Sequence, residues 1–157
     1  MTHARLLLVS RDDIVDMMNG EAGDGAFRLL ASLTRQGYHL LATAPQPEEW
    51  TGEHGSPDDA LLGPNSIRKR LLDAGGRLDG VYYVRRSMLT QKRNREEALR
   101  DILQRYGAAP EHAVLLSSKR KFVKAAHKMG MKAVLLDSDH GLLQELSALN
   151  DAASADS

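Results

Sequence analysis

The sequence predicts an α/β fold in which five parallel strands form a doubly wound sheet with helices on both faces. Short apolar runs recur along the chain, and segments with apolar residues at helical spacing separate them. The first run, Leu6–Val9, is uninterrupted, which is typical of a central strand buried on both faces. We expect one domain over residues 1–149 without a substantial cap domain, followed by a flexible tail over 150–157.

Each strand is predicted from a run of apolar residues that ends at polar residues, glycine or proline. The second run ends where Pro45 and Pro47 follow, since proline lacks the N–H that a sheet requires. The predicted strands cover residues 6–9, 38–43, 78–84, 113–116 and 133–136.

The helices between these strands are predicted from apolar periodicity and from their end signals. Asp24 is the expected N-cap of the first helix, and Gly37 and Gly130 are expected to stop the first and fourth helices. Residues 85–95 are expected to form a basic connection, and residues 17–25 a loop. The predicted helices cover residues 26–35, 64–72, 96–106, 119–129 and 140–149.

Charge is unevenly distributed although the chain has 21 basic and 21 acidic residues. The segment Arg85–Lys132 contains 13 Lys and Arg against 4 Asp and Glu, a balance of +9, and the remainder has a balance of -9. Such asymmetry indicates an electrostatic task for the basic segment. The chain has no cysteine, no long apolar run and no apparent secretory signal, so we expect a cytoplasmic protein that neither spans a membrane nor forms disulfides.

Polar residues follow the first strand at once, in the stretch Ser10–Asp13. In open α/β sheets ligands bind beyond the carboxyl ends of the strands. The sequence therefore predicts that Ser10–Asp13 lies at the edge where this class of fold usually carries its site.

Three stretches of the chain, Gly37–Leu41, Leu78–Tyr83 and Ala125–Leu136, resemble the haloacid dehalogenase-like (HAD) superfamily. Within it, the similarity is to small phosphatases that act on histidinol phosphate and heptose bisphosphate. The resemblance covers Arg5 to Leu146 and implies the strand order 5-4-1-2-3. It also implies an active site at the carboxyl edge of the first, second and fourth strands.

Three of the catalytic positions that this resemblance implies carry other residues than the family has, whereas two others match. The family's nucleophilic Asp falls on Ser10, and its general acid–base Asp falls on Asp12. The hydroxyl that holds the phosphoryl group falls on Ala44, and Thr43 would take its place only with a register slip. The phosphate-binding lysine falls on Lys92, and a magnesium-binding Asp falls on Ser118.

These losses predict a catalytically degenerate protein with no intact catalytic residue, no metal site and no cofactor. Bound magnesium is expected only if a residual phosphomonoester hydrolase activity survives, which is the first alternative. Asp12 is also compatible with a turn cap, and Ser117 and Ser118 with helix capping.

The remaining prediction is a basic crevice that binds an acidic protein surface or a phosphorylated ligand. A nucleic-acid-binding module is the second alternative, weakened by zero net charge and few aromatic residues. The predicted ligand-binding residues are Arg11, Lys92, Arg93, Ser117, Ser118, Lys119, Arg120 and Lys121.

Overall fold

Five parallel strands form one sheet in the order β3-β2-β1-β4-β5, which confirms the predicted fold class and strand order. The computed structural model describes residues 5–18, 23–45, 67–84, 92–137 and 141–155, with the backbone alone at 45, 84, 92–94 and 153–155. The strands are β1 (Arg5–Ser10), β2 (Tyr38–Pro45), β3 (Gly80–Val84), β4 (Ala113–Ser117) and β5 (Lys132–Leu135). β1 is central because it pairs with both β2 and β4.

Six helices and one short 3-10 turn connect the strands within the described residues. They are α1 (Arg11–Met18), α2 (Gly23–Arg35), α3 (Ile67–Asp73), α4 (Lys92–Tyr106), the 3-10 turn (Pro110–His112), α5 (Arg120–Lys128) and α6 (Leu142–Ala155). None of these helices is long and apolar enough to cross a bilayer.

The sheet separates two apolar cores, and side chains of β1 enter both because they alternate along the strand. Leu7 and Val9 pack in the core covered by α1, α2, α3 and α6. Leu6 and Leu8 pack in the core covered by α4 and α5. Burial on both faces explains why the first run is apolar without interruption.

Three element boundaries differ from the prediction near the carboxyl edge. Helix α1 occupies residues expected to be non-helical, and α2 starts at Gly23, so Asp24 lies in its first turn and is not its N-cap. β2 continues to Pro45, because a missing N–H at the last position of a strand interrupts no pairing further along.

Strand β3 starts at Gly80 and not at Leu78, and the predicted helix start at Pro64 lies outside the described residues. Two further differences lengthen helices. Helix α4 starts at Lys92 and not at Glu96, so Lys92 and Arg93 belong to a helical turn and not to a connection. Helix α6 continues to Ala155, so residues 150–155, expected in the tail, are helical. The Asn150 side chain is also held by the Ser32 hydroxyl and the Gln36 amide, at 2.8 and 2.7 Å.

Candidate binding edge of the sheet

Three buried hydroxyl groups lie side by side at the carboxyl ends of β1, β2 and β4. Ser10 is opposite Thr43 in the β1–β2 register, and the pairing of Val9 with Leu116 places Ser117 beside Ser10. Their residues are only 5%, 7% and 1% exposed, for Ser10, Thr43 and Ser117 respectively. The central edge of the sheet therefore presents hydroxyls at neighbouring positions.

These hydroxyls share one face of the sheet. Ser10 and Thr43 each come two residues after a leucine, Leu8 or Leu41, of the core beneath α4 and α5. Ala44, predicted to occupy the phosphoryl-binding position, comes one residue later and so lies on the opposite face. Thr43 consequently stands level with Ser10 at this edge.

The row of polar groups continues onto β3 through Tyr82, which is opposite Thr43. The Tyr82 hydroxyl donates a hydrogen bond of 2.7 Å to the Asp101 carboxylate of α4. This bond, assisted by Arg105 at 3.2 Å, holds the pKa of Asp101 below its ordinary value, although burial opposes the shift. The contact ties α4 to the outer half of the sheet.

Asp13 links two segments of the edge that are far apart in sequence. Its carboxylate accepts a 2.9 Å hydrogen bond from the backbone N–H of Ser118, just after β4. The Ser117 hydroxyl accepts another, of 3.0 Å, from the backbone N–H of Lys119. Two backbone donors ahead of α5 are thereby used within the protein. Ser117 does not cap α5 as expected, because the N-cap is Lys119 and the helix has no side-chain cap hydrogen bond.

The described residues of this edge do not fit a magnesium ion. Mg²⁺ is usually bound through carboxylates and other oxygen ligands in near-octahedral geometry. Asp13 already accepts the Ser118 N–H, and the Asp12 carboxylate lies 4.0 Å from the Arg11 guanidinium. Within the described part of the chain, no three His, Cys, Asp or Glu residues are grouped as metal ligands would be.

The structure brings part of the predicted basic set to the carboxyl edge. Lys119, Arg120 and Lys121 are exposed directly after β4. Lys92 and Arg93 start α4, and the structure gives no side-chain position for either. Of the other cations expected there, Arg95 is buried in the first turn of α4, and Arg85 and Arg86 lie outside the described residues.

Sequence reasoning missed the roles of Asp13 and of Tyr82 with Asp101. Asp13 was visible as a carboxylate three residues past a strand, but its partner, Ser118, is 105 residues away. The resemblance places the phosphoryl-binding hydroxyl at Ala44 and not at Thr43. Only the register between β1 and β2 shows that Thr43 and Ser10 are neighbours.

No protein-family model matches the sequence, and no curated protein is significantly similar to it. Solved structures do share its fold. An uncharacterized protein from Corynebacterium glutamicum has a TM-score of 0.62 at 18% identity, covering 94% of this chain and 96% of its own.

Two phosphatases of known structure also share the fold. The D,D-heptose 1,7-bisphosphate phosphatase of B. bronchiseptica, solved with magnesium and phosphate, has a TM-score of 0.62 at 17% identity over 92% of this chain and 86% of its own. The enzyme of that name from Burkholderia thailandensis has a TM-score of 0.56 at 16% identity, over 92% and 97%. The protein thus has the HAD-like fold that its sequence resemblance predicted.

Proposed function

We propose that the protein is a catalytically inactive HAD-fold protein that binds an acidic protein surface at the carboxyl edge of its sheet. The observation that carries the proposal is the serine at the nucleophile position. Ser10 is buried at the end of the central strand, between Thr43 and Ser117. An edge that presents three hydroxyls lacks the carboxylate nucleophile of the family's reaction.

A serine replaces an aspartate nucleophile only if a base removes its proton. Histidine most often has that role, and the described histidines lie towards the other edge of the sheet. His39 is the second residue of β2, and His112 directly precedes β4. His127 is in the last turn of α5. Ser10 therefore has no histidine base among the described residues.

The exposed cations after β4 support the proposal that the protein binds an acidic surface. Lys119, Arg120 and Lys121 make no ion pair with a carboxylate in the ranges that the structure describes. Ser118 already donates its N–H to Asp13, so a phosphate group would not find that donor available. This favours a carboxylate-rich protein surface over a phosphorylated ligand, the other partner predicted from the sequence.

A residual phosphatase remains the second candidate, because Asp12 is retained at the general acid–base position. The two heptose bisphosphate phosphatases of similar fold also favour it. This candidate requires either a different nucleophile or a carboxylate base for Ser10, since no described histidine lies at this edge. It also requires metal ligands other than the acids described at the edge.

Fluorescence anisotropy with labelled poly-L-glutamate tests the binding. We expect binding at about 50 mM salt that weakens strongly by about 300 mM, where the Debye length is shorter than 10 Å. Lys119→Glu combined with Arg120→Glu should weaken it at least ~10-fold, because it replaces attraction by repulsion. Arg28→Glu, an exposed cation of α2 on the other face, is the matched control and should change binding less than about twofold.

The competing partners are tested in the same assay. Inorganic pyrophosphate and a duplex oligonucleotide are offered as unlabelled competitors of poly-L-glutamate. Displacement by pyrophosphate at micromolar concentration would assign the edge to a phosphorylated ligand. Preferential displacement by the duplex would assign it to nucleic acid, and unchanged binding by the double variant would contradict the proposed location.

A further inference from the structure

The exposed face of α5 is entirely basic. The helix buries Phe122, Val123, Ala125 and Ala126 and has no acidic residue. Its exposed residues are Arg120, Lys121, Lys124, His127 and Lys128. Lys121, Lys124 and Lys128 follow one another at helical spacing and form a stripe about 10 Å long.

The stripe is not neutralised by the described part of the protein. Lys121, Lys124 and Lys128 make no ion pair with a described carboxylate, whereas Arg70 and Arg105 contact Asp24 and Asp101 at 2.9 and 3.2 Å. Like charges four residues apart destabilise a helix, as do cations in its first turn. An acidic partner would offset both effects.

The stripe forms one wall of a groove whose other wall is α4. Near the carboxyl edge the groove has a hollow of about 400 Å³, where Arg95 faces Lys121, Lys124 and Lys128 above Ala125. Further along, a hollow of about 750 Å³ shares Lys128 and is lined by Leu103, Ala108, Pro110 and Met129 together with the polar residues Glu96, Arg100 and Gln104. The groove thus has basic side chains along its length and adds apolar ones at this far end.

We infer that this groove docks an acidic amphipathic helix of a partner protein. Such a helix would place carboxylates against Lys121, Lys124 and Lys128 and apolar side chains against Leu103 and Met129, as in helix-in-groove recognition. The inference rests on the proposed binding function and extends it, because it names the partner's chemistry and a contact surface along the flank.

The shape and lining of the groove favour a peptide over nucleic acid. Among the described residues no Phe, Tyr or Trp lines either hollow, and His127 is the one ring at which a base could stack. Glu96 lines the larger hollow beside Arg100, and its charge would act on a phosphate and on a carboxylate alike. The apolar side chains of Leu103, Ala108, Pro110 and Met129 have a use only for a partner that brings apolar side chains of its own.

The test uses the complete protein and a labelled synthetic peptide of about 14 residues, long enough for a helix of about 20 Å. Leucines occupy one helical face of the peptide and glutamates the flanking positions. A second peptide has the same composition in scrambled order, so that the two residue types no longer segregate. We expect the ordered peptide to bind at least ~10-fold more tightly than the scrambled one, because only it presents both groups together.

Charge reversals locate the site. Lys124→Glu and Lys128→Glu should each weaken peptide binding at least ~5-fold, because each turns an attraction into a repulsion. Met129→Ala should weaken it by a smaller factor, and Arg28→Glu by less than about twofold. Backbone amide shifts in NMR spectra should move at Ala125, Lys128 and Gln104 when the peptide is added.

Each contrary result has a defined meaning. If Lys119→Glu with Arg120→Glu abolishes binding and the Lys124 and Lys128 variants do not, the edge proposal stands and the groove inference is wrong. If neither set has an effect, both are wrong. Equal binding of the two peptides, or tighter binding of a duplex oligonucleotide at the same residues, would also overturn the inference.

Discussion

The polar residues at the carboxyl edge are engaged with one another. Asp13 accepts the Ser118 N–H, the Ser117 hydroxyl accepts the Lys119 N–H, and Asp12 faces Arg11. Of these contacts, the hydrogen bond between Asp13 and Ser118 joins α1 to the segment between β4 and α5.

The first prediction at the residue scale concerns this connection. Asp13→Ala should lower the free energy of unfolding by about 1 kcal/mol more than Asp12→Ala, because only Asp13 accepts a backbone hydrogen bond. Both residues lie in the first turn of α1, so their interactions with the helix dipole are similar and largely cancel in the comparison. Urea unfolding measures the difference. Equal effects of the two substitutions would mean that the Asp13–Ser118 contact contributes nothing.

A second prediction follows from the Tyr82–Asp101 bond. Tyr82→Phe should lower the free energy of unfolding by about 1 kcal/mol at pH 7. This is less than usual for a hydrogen bond to a charged acceptor, because the Asp101 side chain is 40% exposed. The bond lowers the pKa of Asp101 in the folded state. Its stabilisation is therefore complete above the unfolded-state pKa of about 3.9 and is lost as the pH falls through the lower folded-state pKa.

The stability gap between wild type and Tyr82→Phe should accordingly shrink below about pH 4. Denaturant unfolding at several pH values measures it, with Asp101→Asn as the background in which the pH dependence of the gap should vanish. A gap of unchanged size down to about pH 3 would show that the Asp101 charge is not involved.

At the scale of elements, α2 contains a glycine that the fold does not require. Gly25 has no positive φ, and an added Cβ would meet only Leu143 Cδ1, at 3.5 Å. Gly25→Ala should therefore stabilise the protein by about 0.5–1 kcal/mol, because alanine loses less backbone entropy in a helix.

Gly76 is the matched opposite case. A Cβ there would lie 2.5 Å from Ala31 Cα, so Gly76→Ala must displace the backbone of α2 or of its own turn. We expect a lower melting temperature for Gly76→Ala and a higher one for Gly25→Ala, both measured by circular dichroism. Equal shifts of the two variants would contradict the packing of this turn against α2.

The elements that could be located from the sequence are those with an uninterrupted apolar run or a regular apolar periodicity. The strands were predicted because apolar runs are required wherever a parallel strand is covered on both faces. Helix α1 was missed because Ile14 is its one buried residue among those described, so it has almost no apolar periodicity. The start of α4 was misplaced because Lys92–Arg95 has no apolar position that would mark a buried helical face.

The candidate site was predicted less completely than the fold, for a different reason. Strand ends locate Ser10 and Ser117 from local sequence alone. The neighbour relation of Ser10 with Thr43, and the bond between Asp13 and Ser118, depend on register and on contacts between distant segments. No local pattern encodes such contacts.

At the scale of the whole molecule, the two faces of the sheet differ in charge. Helices α4 and α5, which cover one face, contain 9 Lys and Arg against 3 Asp and Glu. Helices α1, α2, α3 and α6, which cover the other face, contain 6 Lys and Arg against 7 Asp and Glu and are nearly neutral. The basic face carries both proposed binding surfaces.

The central claim is that the fold of a phosphatase is retained without its catalysis. The most direct test is phosphate release from a panel of phosphomonoesters, including a heptose bisphosphate, by purified protein with Mg²⁺. We predict no release above the uncatalysed background, because Ser10 has no described histidine base and the described acids are not grouped as magnesium ligands would be. Steady turnover that requires Mg²⁺ and is abolished by Asp12→Asn would contradict the account.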